Sequence, residues 1–250
     1  MTERKTLIVT GGSRGIGAAT AVLAARSGWR VAVNYAANKD AAEAVVRTIE
    51  SDGGEAFAVQ GDVGSETDIM ALFDTVDRRY GRLFGLVNNA GIAGRTARLD
   101  EMDSARIERM FRVNITGSFL CAREAVRRMS TRNGGEGGVI VNLSSAAATL
   151  GGGGMYVDYA ASKGAIDVFT MGLGRELAAE GIRVNAVRPG LIITDIHADI
   201  TDAERPYQLA PTVPMQRAGT AEEVAEAILW LLSDASSYVT GSVVSVTGGR

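Results

Sequence analysis

Short apolar stretches rich in β-branched residues recur along the chain at 7–9, 31–33, 56–59, 83–87, 139–143, 183–187 and 243–246. Between them lie longer segments of mixed polarity, at 15–27, 39–52, 65–80, 103–129, 156–180 and 221–233, whose length and composition predict helices. In the last of these, Val224, Ala227, Ile228, Leu231 and Leu232 mark one apolar face. The strand segments are apolar throughout rather than alternating, as strands covered on both faces are. Strand and helix in regular alternation predict a doubly wound α/β fold, one parallel Rossmann-type sheet with helices on both sides. The glycine clusters at 134–138 and 151–154 are too short for linkers and read as loops at strand ends, where an open α/β sheet places its ligand. The 250 residues suit a single domain covering 1–250.

Charge and composition narrow the function. A net charge of −3 gives no electrostatic footprint for nucleic acid or an anionic membrane. No apolar run approaches the ~18–20 residues a membrane-spanning helix needs. The opening Met1-Thr2-Glu3-Arg4-Lys5 leads into strand rather than into a signal-peptide core, which predicts a soluble, cytoplasmic protein. One cysteine, Cys121, excludes an internal disulfide and reads as a small helix-face residue, and a single histidine, His197, speaks against a metal site. Of 26 basic residues only Lys5, Lys39 and Lys163 are lysines. Each therefore raises the question of what a compact ammonium does there that a planar guanidinium could not.

The first strand runs into Thr10-Gly-Gly-Ser-Arg-Gly-Ile-Gly17. A glycine turn feeding a helix exposes backbone N–H groups at the positive end of the helix dipole, which suits a phosphate. The strongest catalytic signal is Tyr159-Ala-Ala-Ser-Lys163. Four residues apart on a helix, phenol and ammonium share a face, and a nearby cation favours phenolate. Tyr35-Ala-Ala-Asn-Lys39 has the same spacing but sits at the end of the second strand, so the spacing is informative only with its companions. Those companions are Asn88-Asn-Ala-Gly91 after the fourth strand, Asn114 on the next helix, Val141-Asn-Leu-Ser-Ser145 closing the fifth strand, and Arg188-Pro-Gly190 after the sixth.

In order and spacing this series resembles the short-chain dehydrogenase/reductase family over about residues 6–249, with sugar-dehydrogenase-like and 3-oxoacyl-thioester-reductase-like members nearest in pattern. The resemblance implies hydride transfer between a nicotinamide cofactor and a carbonyl or alcohol. It implies that Ser145 bonds the substrate oxygen and Tyr159 is the acid/base. Lys163 would lower the tyrosine's pKa and bind ribose, and Asn114 would hold a water in the proton path. Ser144 is the rival to Ser145, since adjacent strand residues face opposite sides. Cofactor contacts implied are Gly11, Ser13, Arg14, Gly15, Ile16 and Gly17 in the turn, Asp62 and Val63 after the third strand, and Asn89, Ala90 and Gly91 after the fourth. Tyr159, Lys163, Pro189, Gly190, Ile192 and Thr194 complete them. Asn88 reads as structural, Asp62 alternatively as an ordinary helix-starting residue, and Asn114 alternatively as a solvated one.

Cofactor choice turns on the end of the second strand, where an acid would bond the ribose 2′-OH and repel a 2′-phosphate. Asn34 and Tyr35 stand there, with no acid before Asp40. Arg14 and Lys39 could reach a 2′-phosphate, though Lys39 also reads as a solvated helix start. This predicts NADP(H) over NAD(H). Residues 191–215, with Ile193, His197, Tyr207 and Met215, resemble the family's substrate lid, His197 reading as a surface residue rather than a substrate contact. Between Ser145 and Tyr159 there is one residue more than in many relatives, which leaves the shape of the 151–154 loop open. The resemblance also implies a homotetramer, with a dimer second, paired through 103–129, 156–180 and 221–234. A cofactor-binding sensor without turnover is the alternative function, against which the complete Ser-Tyr-Lys-Asn set speaks.

Overall fold

A computed structural model describes residues 4–194 and 204–250. Seven parallel strands, β1 Thr6–Val9, β2 Arg30–Tyr35, β3 Glu55–Gln60, β4 Leu83–Asn88, β5 Gly138–Leu143, β6 Ile182–Pro189 and β7 Val243–Val246, form one sheet in the order β3-β2-β1-β4-β5-β6-β7. Every strand expected from the apolar pattern is there. The main helices are α1 Gly15–Arg26, α2 Lys39–Ser51, α3 Glu66–Tyr80, α4 Ser104–Phe111, α5 Gly117–Met129, α7 Val157–Leu177 and α9 Ala221–Leu232. Two short helices, α6 Ala147–Leu150 and α8 Arg205–Leu209, escaped the periodicity because each is little more than one turn long.

Both sheet faces are covered, and the strand period of two sorts the side chains between them. On β1, Leu7 and Val9 join Val31, Val33, Val87 and Val141 in one apolar layer, to which Val224, Ile228 and Leu231 of α9 also belong. Ile8 points the other way, with Ala32, Leu86, Ile140 and Val184, into a layer containing Ile69, Leu72 and Phe73 of α3. Each fully buried Ile, Leu or Phe contributes roughly 1.5–3 kcal/mol. The chain moves outward from β1 to β3 and then returns to the other side of β1 with β4. That reversal opens a crevice above the carboxyl ends of β1 and β4.

One departure concerns the segment 103–129. Its middle, Arg112–Thr116, is a π-turn between α4 and α5 rather than uninterrupted α-helix. Single π-turns cluster at functional sites, and this one carries Asn114.

Candidate active site

A cleft of about 650 Å³ lies along the carboxyl ends of the strands. Its floor begins at the glycine turn. Gly11, with φ +60°, is tied to β2 through its N–H to Asn34 Oδ1 at 3.3 Å, and Gly12 N–H donates to the Asn34 carbonyl at 2.8 Å. Ser13, Arg14, Gly15 and Ile16 line the cleft. Gly17 does not; a Cβ there would come within 2.4 Å of both Asn89 Nδ2 and the Gly11 carbonyl, so its work is packing. Asn89 Nδ2 reciprocally donates to the Thr10 and Gly11 carbonyls at 2.9 Å.

At the β2 end Asn34 is one of the residues lining the cleft, but its side-chain amide is committed inward. Asn34 is 1% exposed, and its Nδ2 donates to Gly61 and Val59 carbonyls at 3.0 and 3.4 Å while its Oδ1 accepts from Gly11. Its side chain is an internal staple, not a hand held out to a ribose. Tyr35, Ala36, Ala37 and Asn38 continue the cleft wall without an acidic side chain. Lys39 lies outside the cleft lining, exposed on α2 and paired with Glu43 at 3.4 Å. Asp62 and Val63 line the cleft; Asp62 accepts from Gly64 N–H at 2.8 Å and pairs with Arg109 at 3.3 Å, while Ser65, not Asp62, caps α3.

Across the cleft, Ser144 and Ser145 separate as adjacent strand-end residues must. Ser144 Oγ is buried and donates to the Lys163 carbonyl at 3.4 Å. Ser145 Oγ accepts from Ala147 N–H at 3.1 Å, and Ser145 and Tyr159 both line the cleft. The 151–154 loop turns through left-handed backbone at Gly151, Gly152 and Gly154; a Cβ on Gly152 would sit 2.7 Å from the Tyr156 ring. Tyr156 in turn packs edge-on against Tyr159, centroids 6.0 Å apart. Ala90, Gly91, Pro189, Gly190, Ile192 and Thr194 close the lining. His197 lies outside the described residues.

Lys163 is buried, its Nζ donating to the Leu143 carbonyl at 2.7 Å and lying 5.7 Å from the Tyr159 ring centroid. Burial lowers its pKa to about 8, with Asp167 acting in the opposite direction. Tyr159 departs from expectation. Burial pushes its phenol above the ordinary range, the Ser145 hydrogen bond opposes this, and Lys163 is not what pulls it down here. The ammonium is directed at a carbonyl rather than at the phenol oxygen.

Asn114 is buried, against the alternative of a solvated side chain. It is 1% exposed and stands behind the cleft wall, Oδ1 accepting from Ile92 N–H at 2.9 Å and Nδ2 donating to the Ile92 carbonyl at 2.8 Å and Ser162 Oγ at 3.0 Å. Its side chain is given to the segment after β4, not to the cleft. Asn88 is structural as expected, donating to Ser118 O and Asn142 Oδ1 at 3.1 and 3.0 Å.

Comparison with known proteins agrees with this geometry. A family model described as enoyl-(acyl carrier protein) reductase matches residues 11–250. An uncharacterized oxidoreductase of Escherichia coli, YgfF, is 53% identical over 97% of this chain and 98% of its own. The 3-oxoacyl-[acyl-carrier-protein] reductase FabG of Staphylococcus aureus is 37% identical over 100% and 99%, and glucose 1-dehydrogenase 2 of Bacillus subtilis 39% over 98% and 94%. The chain belongs to the short-chain dehydrogenase/reductase family. A dehydrogenase/reductase crystal structure from Sinorhizobium meliloti superposes with a TM-score of 0.90 at 34% identity, covering 98% of this chain and 94% of that one. As a family member the protein is an oxidoreductase, and its homologues use NAD(P)(H).

The glycine turn fits the phosphates of such a cofactor. Helices α2, α3, α4 and α9 are each capped by a side-chain oxygen, from Asn38, Ser65, Asp103 and Thr220. At α1 the N-cap is Arg14, no side chain caps it, and the first turn has no acid. Its leading N–H groups and positive dipole end thus face the cleft beside a guanidinium, as an anion site requires.

Two charge pairs beside the site were not read from the sequence. Arg106 of α4 grips Asp158, the residue before Tyr159, through Nε–Oδ2 at 2.9 Å and Nη2–Oδ1 at 3.3 Å. Arg188 Nη2 bonds Asp167 Oδ2 at 2.6 Å. The only signal for the first was an acid adjacent to the catalytic motif. For the second it was an acid four residues beyond Lys163.

Proposed function

We propose that this protein is an NADP(H)-preferring reductase of carbonyl compounds, working reversibly on the matching secondary alcohols, in one catalytic domain with a lid about residues 191–215. One observation carries the reading. Ser145, Tyr159 and the buried Lys163 line the same cleft, with the ammonium 5.7 Å from the Tyr159 ring centroid. When bound, the nicotinamide supplies or accepts the hydride. The chain's own residues then manage the oxygen and its proton. Ser145 donates to the substrate oxygen, which becomes more basic as the carbonyl carbon gains hydride. Tyr159, held protonated by its burial, passes its proton to that oxygen in reduction and recovers it in oxidation. Lys163, still largely cationic at neutral pH, stabilises the phenolate left behind. Asn114 holds Ile92 and Ser162, and through them the cleft wall, in place.

The named relatives act on a 3-oxoacyl thioester in one case and on glucose in the other, which sets the breadth of a first screen. A panel of ketones, aldoses and acetoacetyl thioesters with NADPH should reveal at least one that is reduced. Tight cofactor binding with no carbonyl reduced would replace this reading with that of a cofactor-dependent sensor.

The preference for NADP(H) is supported by Arg14 at the head of α1 and by the acid-free wall from Tyr35 to Asn38. Since Asn34 faces inward, the position to probe is the exposed Ala36. Ala36→Asp should turn preference toward NAD(H), and Arg14→Ala should weaken NADPH binding more than NADH binding, as measured by cofactor titration. Equal efficiency with both cofactors in the parent protein would count against the preference.

A cytoplasmic homotetramer completes the proposal. Among the described residues no helix is long and apolar enough to cross a membrane. Phe119 of α5 and Val168 and Met171 of α7 are 45%, 66% and 39% exposed, and Phe119 stacks on Phe169 at 3.8 Å, extending one apolar surface over both helices. Such a surface suits closed two-fold pairing. Light scattering should give four times the chain mass of 26.2 kDa, and a monomer at all concentrations would overturn this.

A further inference from the structure

Tyr159, Lys163 and Asp167 follow one another at intervals of four along α7, so they share a face of that helix. The first two belong to the site already described. Asp167 does not reach the cleft. It is 8% exposed, and only one of its oxygens has a partner, the Arg188 guanidinium at 2.6 Å from the end of β6. Its Oδ1 and the Arg188 Nε are both buried without a hydrogen-bond partner among the described residues. A carboxylate so placed is out of proportion to a structural pin, because a buried ion pair is at best weakly stabilising. An apolar pair of like volume would hold α7 to β6 as well.

We propose that Asp167, clamped by Arg188, is a positioning residue whose negative charge keeps Lys163 protonated at neutral pH, and so acts through the lysine on Tyr159. The proposal rests on the functional reading of Lys163 given above. The surroundings of the ammonium support it. From β5 it meets the Leu143 carbonyl, and a Cβ on Gly91, in the segment after β4, would stand 3.5 Å from its Nζ and 3.3 Å from the neutral Asn114 amide of the π-turn. Arg106 of α4 is spent on Asp158, and Tyr159 on α7 is neutral. Asp167 is therefore the nearby carboxylate that offsets desolvation, and it is the charge that acts on Lys163 against its burial. Arg188 has a double effect. It spares Asp167 from being a lone buried charge, and it partly cancels the field that Asp167 exerts on the lysine.

Opposite signs make this testable. The three-lysine composition allows Lys163 to be watched directly, since in a Lys5→Arg/Lys39→Arg background of the full chain it is the only lysine. With side-chain isotope-labelled lysine, NMR titration should give a midpoint near 8 in that background. Asp167→Asn, nearly isosteric, should lower the midpoint by about one pH unit. Arg188→Gln should raise it, and Asp167→Glu, which keeps the charge, should leave it close to the parent. The alkaline limit of carbonyl reduction should move down with the midpoint in Asp167→Asn. An unmoved midpoint in Asp167→Asn, or shifts of the same sign in Asp167→Asn and Arg188→Gln, would overturn the proposal. If Asp167→Asn does not fold, the Arg188→Gln and Asp167→Glu pair decides by the same criterion. The titration needs no turnover, so it stands even if no carbonyl substrate is found. Conversely, an unmoved midpoint beside an active enzyme disposes of this proposal alone.

Discussion

Tyr159→Phe is expected to lower turnover by ~10²–10⁴ while leaving fold and cofactor affinity nearly unchanged. The ring is half-buried and packs edge-on against Tyr156 at 6.0 Å, and phenylalanine keeps that contact. What is lost is the hydroxyl, and with it the one proton that can be passed to the substrate oxygen. Ser145 remains, so polarisation of the carbonyl survives and the residual rate measures it. The chain provides its own control in Tyr35, which has the same spacing to a lysine but stands 6% exposed at the end of β2. Tyr35→Phe should leave the chemical step intact and at most alter cofactor binding. Near-normal turnover in Tyr159→Phe, on a substrate the parent reduces, would falsify the mechanism.

Arg106→Ala is expected to destabilise the fold by about 3 kcal/mol, the lower end of the range for breaking a buried pair. The Asp158 side chain is 2% exposed against 21% for Arg106, so removing the guanidinium strands a carboxylate that water reaches poorly. The N-terminal dipole of α7 would still favour its charge, but by far less than the guanidinium does. The pair also ties α4 to the first turn of α7, next to Tyr159, so activity at a temperature where the variant is folded should fall as well. Urea denaturation measures the stability loss. An Arg106→Met/Asp158→Leu double variant should recover part of it, because no charge is left buried and unpaired. A loss below ~1 kcal/mol in Arg106→Ala would mean that the stranded carboxylate is well solvated, contrary to this geometry.

The seven strands and the main helices were legible in the chain because hydrophobic period is a local property, read within one element at a time. The place of the cleft was equally legible, since glycine turns and motif residues fall just past strand ends, and strand ends in such a sheet lie on one side. Ser13, Arg14, Gly15, Asn89, Ala90, Gly91, Ser145, Tyr159 and Lys163 accordingly meet along one wall or the other.

What the chain could not reveal depends on partners far away in sequence. Asn34 looked like a residue for cofactor choice until Gly61, 27 positions on, was seen to take its amide. Asn114 sits on a π-turn and its side chain serves the backbone of Ile92, 22 positions earlier, neither of which a helical period encodes. Lys39 and Gly17 matched the expected types at the expected spacing, yet one is paired to Glu43 outside the cleft and the other is held against Asn89. The titration of Tyr159 and Lys163 turned on burial and on where one ammonium points, and the partners of Asp158 and Asp167, Arg106 and Arg188, come from distant segments. Local pattern thus determined the elements and the types of residue at the cleft. Which side chains face it, and with what charge, was decided by long-range packing, because desolvation and hydrogen-bond partners exist only once distant segments have come together.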